Sequence, residues 1–278
     1  MESEDLAVRR SPVEARTDLH AVTAVRRRMR ADPARRALAV FGLWVAVANA
    51  GYFLVFFLSW PPTAGQVSPA MLLLPLLLFT VLTRGALAAR GARLRPRTAG
   101  TWVVIGAAVL IVVAGGVAAV TVGLPPAARI GIPLLLLLVQ GPPALIALRR
   151  TEPAPLASPQ PFAPPARITT AVLGVACAAT VATSPWPVIS GMVGLGALVL
   201  MGVFALASST DWGLDATGAQ WGRPQWTLFG IAAAAQGAAV VVAAAAPATT
   251  TAAVLAAAVG LSMLIAALVP APTADRRR

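Results

Sequence analysis

Residues 69–89 read PAMLLLPLLLFTVLTRGALAA, and this stretch decides the fold. Its only charged residue is Arg84, close to the carboxyl end. An α-helix needs about 20 mostly apolar residues to cross the roughly 30 Å of hydrocarbon in a bilayer. Because lipid offers no hydrogen-bond partner to exposed backbone, a single segment that crosses it is helical. The stretch therefore predicts a membrane-spanning α-helix.

Other apolar stretches flank this one, so the sequence predicts an all-α, polytopic integral membrane protein with eight spans. In chain order the predicted spans are residues 37–60, 69–89, 101–123, 130–148, 168–184, 188–207, 227–246 and 250–269. The chain is 58% hydrophobic and 12% charged, and a soluble domain carries about twice that charged fraction. Between Asp32 and Asp275 the only carboxylates are Glu152, Asp211 and Asp215. So few charges could not cover a surface that faces water.

The spans divide the chain into five regions. In order, these are a basic cytoplasmic tail at 1–36, spans one to four at 37–148, a proline-rich linker at 149–167, spans five to eight at 168–270 and a basic tail at 271–278. The first tail has no apolar core and does not resemble a secretory signal peptide. It is expected to be either a disordered segment that sets topology or a basic amphipathic helix lying on anionic lipid. Both interpretations stay open.

The arginines predict the orientation of the spans. With the amino terminus inside the cell, all of the 22 basic residues except Arg129 lie on the cytoplasmic side. Cytoplasmic loops are enriched in basic residues, so we expect a plasma-membrane protein with both termini in the cytoplasm. The chain lacks Lys and is rich in Ala, which indicates a GC-rich bacterial genome. The net charge of +12 does not indicate nucleic-acid binding, because the arginines lie in clusters between apolar runs.

The proline-rich linker separates two sets of four spans, which suggests an internal repeat. Similar residues recur at matching span ends, in the pairs Trp60 and Trp186, Trp102 and Trp226, and Pro125 and Pro247. Because four is an even number, the halves of such a 4+4 repeat would lie parallel, related by an axis along the membrane normal. The alternative is that Trp and Pro mark interfaces and hairpins in any protein of this kind.

Four polar residues within the predicted spans are candidates for a substrate path: Asn49, Arg84, Gln140 and Gln236. Polar groups are costly in lipid, so they mark either function or hydrogen bonds between helices. Gln140 precedes Gly-Pro-Pro at 141–143, and a helix broken there would expose carbonyl ligands. Arg84 is close enough to the interface for its guanidinium to reach water. No Asp, Glu or His falls within a predicted span, which argues against proton coupling.

The segment between the sixth and seventh spans is expected to be a solvated loop anchored by tryptophans. It carries Asp211 and Asp215, whose spacing would place them on one face of a helical turn. Paired carboxylates at the cytoplasmic ends of helices can hold Mg²⁺ for a diphosphate. The loop after the second span has no carboxylate to complete such a site, so no metal site is predicted.

The chain has one cysteine, Cys177, and one histidine, His20. These counts exclude a disulfide, and any metal site that needs two cysteines or two histidines, within one chain. No catalytic set and no cofactor are therefore expected. The leading hypothesis is a transport or permease-type subunit for an apolar or amphipathic small molecule, with membrane lipids and a cytoplasmic or membrane protein as partners. Two alternatives stay open. One is a membrane enzyme that acts on a lipid or isoprenoid diphosphate through Asp211 and Asp215, and the other is a non-catalytic accessory or sensory module.

Overall fold

The computed structural model describes residues 33–60, 68–92, 99–151, 161–245 and 248–270. It is 87% helix, and the described residues contain no strand. The helices are α1 (Pro33–Leu58), α2 (Pro69–Ala89), α3 (Ala99–Thr121), α4 (Pro126–Arg149), α5 (Pro164–Ala182), α6 (Pro187–Leu206), α7 (Leu214–Gln220), α8 (Arg223–Ala245) and α9 (Thr249–Leu268). All of these except the 7-residue α7 are long and apolar enough to span a membrane. For the described residues, the prediction of an all-α protein with eight helices of span length is confirmed.

Proline sets the start of several helices. The prolines in question are Pro69 of α2, Pro126 of α4, Pro164 of α5 and Pro187 of α6. Proline is favoured in the first turn because its fixed φ suits a helix and its missing N–H would have had no partner there. The predicted spans 130–148 and 168–184 begin at the first long apolar residue, so they omit about one turn at the amino end.

Prolines also lie within the helices without ending them. α4 contains Pro133, Pro142 and Pro143 and continues through all three as one helix from Pro126 to Arg149. Membrane helices tolerate internal proline because neighbouring groups can satisfy the freed carbonyls. The structure therefore shows no helix break at residues 141–143.

The helix α2 lies at the centre of the bundle. It contacts α1, α5, α6, α7 and α8, and its buried side chains include Leu74, Leu78 and Leu82. Around it, α1 packs along α4, α5 packs along α9, and α8 packs on α9. By contrast α3 packs on α4 and leaves Leu110 and Val120 68% and 69% exposed. The core thus surrounds α2, while α3 forms an apolar outer surface suited to lipid.

Several helix ends that carry arginine meet at one end of the bundle, where α7 also lies against the end of α2. Gln220 Oε1 accepts a hydrogen bond from the Ala163 N–H, 2.8 Å away at the start of α5. Gln225 Nε2, near the start of α8, donates to the Val269 carbonyl beyond the end of α9 at 2.7 Å. We call this end the basic face, and its arginines include Arg84, Arg90, Arg167 and Arg223.

Candidate functional site

A crevice of about 400 Å³ lies between α1, α2 and α8. Small-molecule sites typically enclose about 300–1,000 Å³, so the crevice is large enough for a ligand. None of its lining residues in the described part of the chain is charged. They include Trp44, Val47, Ala48, Gly51, Tyr52 and Val55 of α1, Met71, Leu72, Pro75 and Phe79 of α2, and Trp226, Phe229, Gly230, Ala233, Ala234, Gly237 and Val240 of α8.

Small residues on α8 keep the crevice open. The small lining residues are Gly230, Ala233, Ala234 and Gly237. Their i, i+3, i+4, i+7 spacing places them on one face of the helix. A Cβ added at Gly237 would lie 2.9 Å from Val55 Cγ2 on α1. Larger residues on this face would therefore meet α1, and the small ones leave space between the two helices.

A buried hydrogen bond fixes the wall that α2 contributes. Pro75 has no N–H, so the Met71 carbonyl one turn earlier loses its usual partner within the helix. Gln236 of α8, only 2% exposed, donates from Nε2 to that carbonyl at 3.0 Å. The sequence candidate Gln236 therefore ties α8 to α2 at the level of the crevice, whose lining includes both Met71 and Pro75.

Aromatic side chains lie at the end of the crevice nearest the basic face. We call this cluster the aromatic floor, and its members are Phe41, Phe79, Trp221, Trp226 and Phe229. The contacting rings have centroids 5.2–6.3 Å apart and lie mostly edge to face, which is a favourable geometry for aromatic pairs. Phe79, Trp226 and Phe229 line the crevice itself. The floor therefore lies between the apolar crevice and the charged helix ends.

Two arginines lie next to the aromatic floor. The Cζ atom of Arg90 is 5.7 Å from the centroid of the Phe41 ring, and Nη1 of Arg90 donates to the Ala86 carbonyl at 2.7 Å. Burial lowers the pKa of Arg90, because surroundings of low polarity disfavour the charged form. Arg223 is exposed and lies three residues before Trp226. The crevice thus ends beside cations, although it contains none.

The prediction of a solvated loop between the sixth and seventh spans agrees with residues 209–212, which are exposed, and is wrong for residues 213–222, which are mostly buried. Leu214 and Trp221 are fully buried. Trp221 Nε1 donates to Thr170 Oγ1 of α5 at 3.1 Å. The short helix α7 occupies this segment and joins the end of α2 to the start of α5.

Two glycines explain how α7 comes so close to α2. Gly85 of α2 faces the backbone of Asp215, and Gly218 of α7 faces the backbone of Leu82. Neither position has room for a Cβ. Because backbone atoms cannot move aside as a side chain can, the contact depends on glycine at both positions.

The two aspartates do not share a helical face. Asp211 is exposed in a turn before α7, and Asp215 lies in the first turn of α7. Asp215 Oδ2 is 3.4 Å from Arg84 Nη2, whose side chain is 72% exposed. Within the described ranges, no group of three or more His, Cys, Asp or Glu residues could hold a metal ion. The structure thus places Asp215 with Arg84 rather than with Asp211.

The remaining candidates, Asn49 and Gln140, bond to each other. Asn49 Nδ2 donates to Gln140 Oε1 at 3.0 Å, which links α1 to α4. The crevice is lined by other residues of α1, and α4 does not contribute to it. These two amides therefore lie outside the crevice. Sequence reasoning missed the crevice because its lining is apolar, and the only signal was the spacing of small residues on α8.

Among the described residues, eight helices have the length and composition of membrane spans, as in a multi-pass membrane protein, and three of them line an uncharged crevice. No family model, no curated protein and no solved structure matches the chain.

Proposed function

We propose that the protein is a transport or permease-type subunit for an apolar or amphipathic small molecule, and that the crevice is its binding site. The observation that carries the proposal is an uncharged crevice of about 400 Å³ within a bundle of spans. Helix bundles commonly bind ligands between their helices, in pockets lined mostly by apolar and aromatic side chains. An apolar ligand would replace the missing packing between α1 and α8.

The crevice faces the part of the surface that lipid would cover. Trp44 and Val47 line it and are 41% and 48% exposed, and Gly51 is exposed beside them. All three lie on α1, within a span. A ligand dissolved in the bilayer would therefore reach the crevice sideways, between α1 and α8, without passing through water.

We assign the basic face to the cytoplasm of a plasma membrane. Arg84, Arg90, Arg167 and Arg223 lie on that face, and basic residues are enriched on the cytoplasmic side of membrane proteins. Arg129 lies in the first turn of α4, at the end of that helix opposite to Arg149. In this orientation both chain termini are cytoplasmic and the aromatic floor lies toward the inner leaflet.

The packing also supports two parallel halves, α1–α4 and α5–α9, with α7 as an addition. In each half the first span packs along the fourth, the third packs on the fourth and the first contacts the second. The two second spans, α2 and α6, contact each other, as helices beside a two-fold axis would. Relative movement of two such halves is a common mechanism of transport.

The test is movement of labelled single-chain lipids between the leaflets of vesicles that contain the purified protein. The probes are NBD-labelled lysophosphatidylcholine and lysophosphatidic acid, and dithionite added outside bleaches only the probe in the outer leaflet. Protein is expected to accelerate the movement of at least one probe. Rates equal to those of protein-free vesicles for both probes would contradict the proposal.

A matched pair of variants ties the activity to the crevice. A Cβ at Gly51 meets no atom within 4 Å, and neither does a Cβ at Gly106 of α3. Gly51→Leu would fill the crevice, whereas Gly106→Leu would place the same side chain outside it. We expect Gly51→Leu to abolish the acceleration and Gly106→Leu to retain it.

A further inference from the structure

We propose that the crevice binds a single-chain lipid with an anionic head group, its tail between α1, α2 and α8 and its head group on Arg90 and Arg223. This inference rests on the proposed function, because it names the ligand class of the same crevice. The head group is a carboxylate or a phosphate monoester, since a guanidinium binds either one with paired hydrogen bonds.

The dimensions of the crevice fit one hydrocarbon chain. On α8 its lining runs from Trp226 to Val240, which is about 21 Å along a helix axis at 1.5 Å per residue. A crevice of about 400 Å³ that extends over such a length is elongated. Its shape therefore suits an extended hydrocarbon chain.

The charge at the end of the crevice favours an anion. Among the described residues the carboxylates are Asp211 and Asp215, and Asp215 pairs with Arg84. Arg90 is half-buried between α1 and α2, and its Nε is buried without a hydrogen-bond partner among the described groups. A partly desolvated cation is stabilised by an anion that brings hydrogen-bond acceptors.

The aromatic floor connects the tail site to the head-group site. Trp226 lines the crevice, and its ring centroid is 5.3 Å from that of Phe41. The Cζ atom of Arg90 is 5.7 Å from the centroid of the same Phe41 ring. Arg223 is one helical turn from Trp226. Tryptophan and arginine at this depth lie in the head-group layer. The tail of a lipid can therefore occupy the crevice while its head group stays at the interface.

The experiment is quenching of tryptophan fluorescence by brominated lipids in neutral detergent micelles, since bromine quenches indoles that it contacts. The probes are 9,10-dibromostearic acid, at a pH where the acid is ionised, and its methyl ester, which has the same tail without the charge. We expect the acid to bind about tenfold more tightly than the ester, as one charge-assisted contact allows. Hexadecyl phosphate should displace the acid, and hexadecanol should displace it about tenfold less well.

Arginine variants locate the head group. Arg90→Gln is expected to remove most of the preference for the acid and to leave the affinity for the ester unchanged. Arg90→Lys keeps the charge but loses the paired donors, so it should fall between Arg90→Gln and the wild type. Arg149→Gln is the control, because Arg149 ends α4, which does not line the crevice. If Arg90→Gln does not fold, the comparison of acid with ester in the wild type still tests the anionic head group, and Arg223→Gln still tests its position.

The possible failures are distinguishable. Equal affinity for acid and ester would overturn the anionic head group and leave the crevice as an apolar site. Quenching by neither probe, or quenching that Gly51→Leu does not reduce, would overturn both this inference and the proposed site. A preference for the acid that survives both Arg90→Gln and Arg223→Gln would overturn the assigned head-group position.

Discussion

The helices α2 and α3 are both apolar spans, yet they lie in opposite environments. In the most apolar part of α2, 56% of the residues are buried inside the protein, and in that of α3 only 17% are. The more hydrophobic of the two is α3. In water the more hydrophobic helix would be the buried one. In a bilayer lipid is as apolar as a leucine core, so burial follows from close packing and hydrogen bonds instead.

The features that distinguish α2 are Gly85, Pro75 and the residues that meet them. Gly85 allows the α7 backbone to approach, and Pro75 frees a carbonyl that Gln236 binds. For α3 the described contacts are mainly with α4, and a Cβ at Gly106 or Gly116 would meet open space. Glycine thus has a packing role in α2 that it lacks at those positions of α3.

The largest effect should come from adding a methyl group at a glycine. In Gly85→Ala the new Cβ would overlap the Asp215 backbone, so we expect a loss of about 5 kcal/mol or more of stability, at or above the cost of a large core cavity. Gly106→Ala should be neutral or stabilise by up to about 1 kcal/mol, since alanine favours helix. Thermal unfolding in detergent measures both. Equal midpoints for the two variants would mean that α7 does not lie against α2.

Next in size is the removal of a leucine side chain. Leu82 of α2 is fully buried and Leu110 of α3 is 68% exposed. Leu82→Ala leaves a cavity and should cost about 2–5 kcal/mol, whereas Leu110→Ala should cost less than about 1 kcal/mol because lipid fills the space. Denaturant titration of the two purified variants provides the comparison, and a larger cost at Leu110 would reverse the assignment of core and lipid surface.

A smaller effect is expected at the hydrogen bond behind the crevice. Gln236→Leu leaves the Met71 carbonyl unsatisfied and should cost about 1 kcal/mol. In a Pro75→Ala background the new N–H can bind that carbonyl, so the cost of Gln236→Leu should fall to about half or less. An unchanged cost in the two backgrounds would show that Gln236 stabilises the bundle in another way.

The smallest effect should come from the Asp215–Arg84 ion pair. Because the Arg84 side chain is 72% exposed, solvent screens the interaction, and Asp215→Asn should change stability by no more than about 0.5 kcal/mol. The double variant Asp211→Asn, Asp215→Asn should also leave probe movement in vesicles unchanged. A loss of function in that variant with normal folding would favour the enzymatic alternative.

The sequence predicted the spans because the requirement for about 20 apolar residues is local and strong. It missed about one turn at Pro126 and Pro164, where polar or small residues precede the apolar run. It also placed Trp221 in a solvated loop, although this residue is fully buried. The burial of α7 depends on glycines at 85 and 218, which are far apart in the chain, and one sequence does not reveal that they meet.

The candidate site was beyond the reach of sequence reasoning for a related reason. Asn49, Gln140 and Gln236 stand out in the sequence as polar residues within apolar spans, and each makes a hydrogen bond that joins two helices. The crevice instead consists of apolar residues from three helices that are separated in sequence. Such a site is an unfilled space between helices, and residue types alone do not indicate where that space lies.

The most direct test of the crevice is photolabelling with a fatty acid that carries a diazirine in its chain, followed by mass-spectrometric mapping. We expect labels on α1 between Trp44 and Val55 and on α8 between Trp226 and Val240, since both segments line the crevice. Unlabelled fatty acid should compete for these sites, and Gly51→Leu should lose them. Equal labelling of the lipid-exposed residues of α3, with no competition, would contradict a specific site between α1, α2 and α8.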